Sequence, residues 1–267
     1  MDGGLIYMTL TNDWDQLSPD EKYEARFESF KNPDYDFASQ DIKEKYQASV
    51  QRLKDAVDLK KPDRVPVLPN IGFYPARYAG ITAEEAMNDY DKMSMAWKKF
   101  NREFDFSYQT TCVTIGSAPV YKKLDFKLYR WPGEGTKPDT PYQCVEKEYM
   151  KADEYDELIM DPTGYFIRKY LPRVFGSMGP WSQLAPFTNL IELPFVVPTM
   201  MPFGFEDVRE SFEQILEAGE EAFKWMQTIG AVHEEMATQE GLPPTTGGFT
   251  KAPFDILGDT LRGTKNI

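Results

Sequence analysis

One histidine and two cysteines set the range of metal and nucleophile chemistry that this chain of 267 residues can carry: His233, Cys112 and Cys144. A protein zinc site gathers four nitrogen, sulfur or carboxylate ligands, and its thiols usually come in close pairs such as CxxC. Cys112 and Cys144 stand far apart, so no metal ligand is assigned. His233 sits beside Glu234 and Glu235 in a run of helical pattern and reads as a structural histidine. Cys112 lies among Thr110, Thr111 and Val113, a setting in which a thiol is more often buried than reactive. Glu217, Glu220 and Glu221 recur at helical spacing and read as a solvated face. No residue is given a catalytic role on these grounds.

Composition narrows the partners. The formal charge is −13, which opposes nucleic acid and anionic membrane surfaces as partners, because both demand basic protein surface. A small anionic ligand stays compatible, since a local pocket can oppose the global field. No run of eighteen apolar residues suggests a membrane span, and the start Met1-Asp2-Gly3-Gly4 lacks the basic region of a secretory signal. Two scattered cysteines suit a reduced, cytoplasmic protein.

The elements that must position any site follow from periodicity. Residues 1–38 read as an N-terminal extension on the outside of the main body, with a short helix near Asp20–Phe27. Ile42, Tyr46, Val50, Leu53 and Val57 mark a helix over 39–60, capped by Ser39. Arg64–Asn70 is short, apolar and β-branched, which predicts a buried strand; Phe106–Ile115 predicts another. Between them, Thr82-Ala83-Glu84-Glu85 is a capping box, and Asp91 is expected to cap a second helix running to Phe104. Leu124–Tyr129 and Gln143–Tyr149 alternate and flank Trp131-Pro132-Gly133, which predicts a hairpin inserted near 122–150. Helices are expected over 152–160 and 163–175, the second capped near Asp161 with Pro162 at its first position. The Gly-, Pro-, Met- and Phe-rich stretch 176–205 is expected to form short helices or a lid, and 206–240 a long acidic helix ending at Gly241. A short strand near 245–249 and a helix over about 253–261 would follow. The alternation points to α/β architecture with parallel strands. Periodicity fits a closed barrel and an open doubly wound sheet alike.

Two segments carry a family resemblance. The run Arg64-Val65-Pro66-Val67, followed by the turn Ile71-Gly72-Phe73-Tyr74-Pro75-Ala76-Arg77-Tyr78-Ala79-Gly80, resembles the first strand and turn of the uroporphyrinogen decarboxylase superfamily. Gly247-Gly248-Phe249-Thr250-Lys251-Ala252-Pro253-Phe254-Asp255 is similar to its Gly-Phe-x-Gly-x-Pro-Phe-Thr-Leu strand–turn–helix. Tyr155–Ile159 with Pro162 has the look of methyltransferase-like members. The resemblance covers residues 39–267. It implies the N-terminal part of a (β/α)8 TIM barrel that continues past Ile267, with the hairpin as an insertion. In such barrels the loops after the strands face the substrate, which makes Asn70, Phe73, Tyr74, Arg77, Phe254, Asp255 and Asp259 the candidate substrate-binding residues.

The departures from the family pattern choose between its activities. Decarboxylases grip a polycarboxylate with paired arginines, which bind carboxylates bidentately. Here the turn holds Arg77 alone. The decarboxylase aspartate falls near Thr111 or Cys112, and its tyrosine near Asp259, whose charge would repel such a substrate. The resemblance therefore implies the other branch: methyl transfer between a small methylated substrate or thiol and a corrinoid protein, assisted by zinc. Neither cofactor is assignable to residues of this chain. Decarboxylation of uroporphyrinogen or another carboxylate is the alternative. A third expectation is a non-catalytic piece or subunit, either a homo-oligomer or completed by a second chain, because an open barrel would expose apolar edges.

Overall fold

The computed structural model describes residues 14–244, which divide into two compact units. The first comprises described residues up to Gly116 together with those from Phe223 onward; the second runs from Ser117 to Ala222. Helices dominate both.

The first unit begins with α1 (Pro19–Lys31) and α2 (Gln40–Val57). Ser18 and Glu21 close a reciprocal capping box on α1, and the Ser39 side chain accepts from the Ile42 N–H to start α2. Phe27, Phe30, Tyr35 and Phe37 pack against buried Tyr46, Val50 and Ala237. These partly buried aromatics seat the segment before residue 38 on that cluster, while none of its described residues is itself buried. Next come α3 (Tyr74–Ala79), α4 (Ala83–Asn88) and α5 (Tyr90–Glu103). The Thr82–Glu85 capping box opens α4, while Asp89, not Asp91, caps α5 by accepting from Lys92 N.

The second unit opens with α6 (Ala118–Leu124), which ends at Asp125 in the left-handed region. Then β1 (Tyr129–Pro132) pairs antiparallel with β3 (Gln143–Cys144) and carries β2 (Gly135–Thr136) on its other side. The pairing lies inside 122–150 but begins at Tyr129, where Leu124–Tyr129 was expected to form the strand. After α7 (Tyr155–Met160) come α8 (Pro162–Tyr165), a π-helical turn Phe166–Tyr170 and α9 (Leu171–Val174). Asp161 caps α8 by accepting from Gly164 N, and Pro162 takes the first helical position. Buried Glu154 accepts from both arms of Arg173 at 2.7 and 2.6 Å and from Tyr165 Oη at 2.9 Å, and these donors hold its carboxyl well below the usual range. The stretch 176–205 becomes 3₁₀ turns around α10 (Leu193–Met200).

Finally α11 (Glu206–Glu240) runs unbroken through Gly219 and Gly230 and stops at Gly241, whose φ of +64° suits glycine. Its first half belongs to the second unit and its second half to the first. There Trp225, Ile229, Val232 and Met236 join Ala76, Ala86, Met93, Ala96, Trp97, Cys112 and Ile115 in the main core of the first unit.

This architecture overturns the barrel. A (β/α)8 barrel needs eight parallel strands, whereas the described residues form only three short ones, and the β1–β3 pair is antiparallel. Both expected barrel strands are absent as strands. Pro66 and Pro69 deprive the 64–70 run of ladder donors, and its Val67 N–H goes to the Ser107 hydroxyl instead of a neighbouring carbonyl. Phe106–Ile115 is bent and ends in the 3₁₀ turn Val113–Ile115. Within it the Asn101 side chain holds the Thr110 backbone, and the Ser107 and Gln109 N–H groups donate to the Val67 and Pro243 carbonyls. The expected strand near 245–249 and helix over 253–261 lie outside the described residues.

Candidate functional site

The candidate turn is positioned by three anchors. Arg52, almost wholly buried on α2, donates two 2.7 Å hydrogen bonds to Asp63, which holds that carboxyl down at about 2. Arg64 pairs with Asp105 at 2.6 Å. Val67 exchanges two bonds with Ser107: the Ser107 N–H donates to Val67 O at 3.2 Å, and the Ser107 hydroxyl accepts from the Val67 N–H at 3.3 Å. Val65 and Leu68 each precede a proline, which favours extended backbone. Gly72, at φ +54°, then turns the chain into α3, and Pro75 sits in the first helical turn.

Around this turn the sequence candidates separate. Asn70, Tyr74 and Arg77 stand within one short stretch and all are exposed, Tyr74 by 52%. Phe73 is different: it packs on the main core. Tyr74 belongs to an aromatic surface that the sequence reading missed. Its ring stacks on Tyr78 at 6.4 Å and meets Phe100 edge-on at 5.7 Å, and Phe100, Phe104 and Phe106 continue the array. The signal was the spacing of Tyr74 with Tyr78 on α3 and of Phe100 with Phe104 at the end of α5, four residues apart in each case. Tyr78 donates to Glu103 Oε2 at 2.6 Å, which raises its pKa, and Lys99 lies 5.5 Å from its ring centre. Phe254, Asp255 and Asp259 lie outside the described residues.

Behind the turn lies a buried polar layer. The Asn101 side chain brackets Thr110, accepting from its N–H at 2.8 Å and donating to its carbonyl at 3.3 Å. Gln109 donates through Nε2 to the Leu242 and His233 carbonyls at 2.9 and 3.1 Å, and its backbone N–H reaches Pro243 O. His233 Nε2 stands 3.2 Å from Thr111 Oγ1, and burial lowers its pKa to about 4. Cys112 is fully buried, and burial pushes its thiol up to about 12, so it is protonated at neutral pH and a poor nucleophile. Cys144 is exposed. Among the described residues, no three His, Cys, Asp or Glu side chains come together as a metal group.

The second unit holds a cleft of about 270 Å³ lined by Asp161, Gly164, Ile167, Arg168, Pro186 and Phe187. Its two charges pair with each other at 3.0 Å, and the space is below the usual range for ligand sites. None of the described helices is long and apolar enough to cross a membrane.

Comparison of the chain with protein-family models, curated proteins and solved structures returns no match. Chemically, the turn offers an open backbone edge, an exposed aromatic surface and one guanidinium. That set suits recognition of another polypeptide better than proton transfer.

Proposed function

We propose that this chain works as part of an assembly, in which the run 65–71 receives a strand of a partner polypeptide. One observation carries this reading. Val65, Val67, Leu68 and Ile71 expose their apolar side chains, Val65 by 77%, along a run where the N–H groups of Val65, Leu68, Asn70 and Ile71 have no hydrogen-bond partner among the described residues. Apolar side chains beside unpaired donors are the two halves of strand addition: main-chain bonds supply affinity and alternate side chains supply specificity. Pro66 and Pro69 limit the edge to one short strand.

Amide hydrogen exchange on the isolated chain tests it, read beside sedimentation. Those four amides should exchange without protection in a chain that sediments as a monomer, and become protected when the chain is isolated within its assembly. Slow exchange at all four in the lone monomer would show the edge already covered and overturn the reading. Val65→Lys should abolish the assembly while shifting the urea midpoint by less than about 0.5 kcal/mol, as surface changes do.

The chemistry of that assembly is a second reading, supported by the sequence likeness of 64–80 and 247–259 and by the exposure of Asn70, Tyr74 and Arg77 together on the turn. It is methyl transfer between a small methylated substrate or thiol and a corrinoid protein, with zinc supplied from outside the described residues, in the cytoplasm. Methylation of cob(I)alamin by the assembly would support it. Absence of turnover with zinc present would remove it, and tight uroporphyrin binding would favour decarboxylation instead.

A further inference from the structure

The second unit carries a separate surface, independent of the edge at 65–71. From Phe187 to Phe205 the only charged residue is Glu192. Ile191 is 84% exposed, Leu193 87% and Val197 77%, and Phe195, Met200 and Met201 are exposed as well. Within α10 only Thr199 is buried. A helix that is apolar on every side is normally covered, because water stabilises only its polar face. The surface is also firmly seated. Phe187 stacks on Phe203 at 6.1 Å, Phe203 on Phe212 at 5.7 Å, and Phe212 on Trp181 at 5.4 Å. Trp181, Phe203 and Phe212 are thus already stacked on one another, and exposed Phe195 takes no part in that array. An apolar patch of this kind, rimmed by polar groups, marks an interaction site.

The rim specifies the partner. Glu192 adjoins α10 on one side, and on the other the chain enters α11 with Glu206, Asp207, Glu210 and Glu213, all exposed, against Arg209 alone. A second copy would bring acidic rim to acidic rim, and an anionic membrane would be repelled in the same way. We propose that the surface formed by residues 191–201 docks a partner protein segment whose apolar face is bordered by lysine and arginine. The apolar side chains supply the burial, and the acidic rim steers the encounter and sets its register.

Two synthetic amphipathic helical peptides test this, one built of leucine and lysine, the other of leucine and glutamate. Fluorescence anisotropy should show saturable one-to-one binding of the Leu/Lys peptide alone. Val197→Glu should weaken that binding about tenfold or more, the loss expected of a central apolar contact. The variant is informative because it adds negative charge: attraction of a basic peptide to an acidic protein would strengthen, whereas apolar docking is lost. Circular dichroism and the urea midpoint check that the variant folds, and Leu193→Gln serves the same purpose if it does not. Unchanged or tighter binding by the folded variant overturns the proposal, as does equal binding of both peptides or of neither. A chain that dimerises in sedimentation, and returns to a monomer with Val197→Glu, would assign the surface to a second copy and overturn it too.

Discussion

The run 64–70 and the run 107–112 touch through Val67 and Ser107, yet one faces water and the other is sealed from it. Ser107, Tyr108, Gln109, Thr110 and Cys112 are all buried, while Val65, Val67 and Leu68 are exposed. The difference lies in where backbone polar groups find partners. Around 109–110 the amides of Asn101 and Gln109 reach backbone groups, so burial leaves these bonds intact. Along 64–70, among the described residues, only the N–H groups of Arg64 and Val67 find acceptors, both on side chains, Val67 O alone receives a backbone donor, from Ser107, and two prolines replace donors. Apolar content alone does not decide which run is buried.

Breaking the buried side of this contrast should have the largest effect. Asn101→Ala strips both bonds from Thr110 inside the core and should cost about 3 kcal/mol in urea unfolding, because a buried donor and acceptor lose their partners together. An unchanged midpoint would mean that water takes over both bonds.

A second test uses pH. The folded pKa of His233 is lowered to about 4 from an ordinary value of 6.5, so the unfolded chain binds the proton first as pH falls. Stability should therefore be unaffected by this group above about pH 6.5 and decline between 6.5 and 4, by on the order of 2–3 kcal/mol in total. His233→Gln should flatten that part of the profile. If the slope survives, another group is responsible.

The smallest effect is expected at the seam. Ser107→Ala removes the hydroxyl that accepts from the Val67 N–H and should cost about 1 kcal/mol. Its exchange signature sharpens the contrast more than its energy does: the Val67 amide alone should lose protection, while the Thr110 amide, held by Asn101, should keep it.

Local signals were legible in the sequence where they act within one turn. The Thr82–Glu85 box, the Ser39 and Asp161 caps and the stop at Gly241 all stand where periodicity and capping put them. Strand readings failed for 64–70 and 106–115 because β-branched and aromatic content reflects burial as much as ladder formation. The aromatics at Phe27, Phe30, Tyr35 and Phe37 were visible, but their destination on Tyr46 depends on contacts that cross the chain. For the site, Tyr74 and Arg77 were read as substrate-binding residues, and the structure shows only that both are exposed. Asn101 and Gln109 were not, since an isolated amide in a sequence gives no sign of the distant backbone it will bracket.

The split membership of α11 has a consequence for how the protein is made. The main core of the first unit needs Trp225, Ile229, Val232 and Met236, which leave the ribosome only after the whole intervening second unit has been synthesised. At roughly 5–20 residues per second, Trp97 and Cys112 wait on the order of ten seconds for the side chains that cover them. During that interval the nascent chain presents an unfinished apolar surface, while the described part of the second unit, Ser117–Ala222, has already been synthesised as one continuous run.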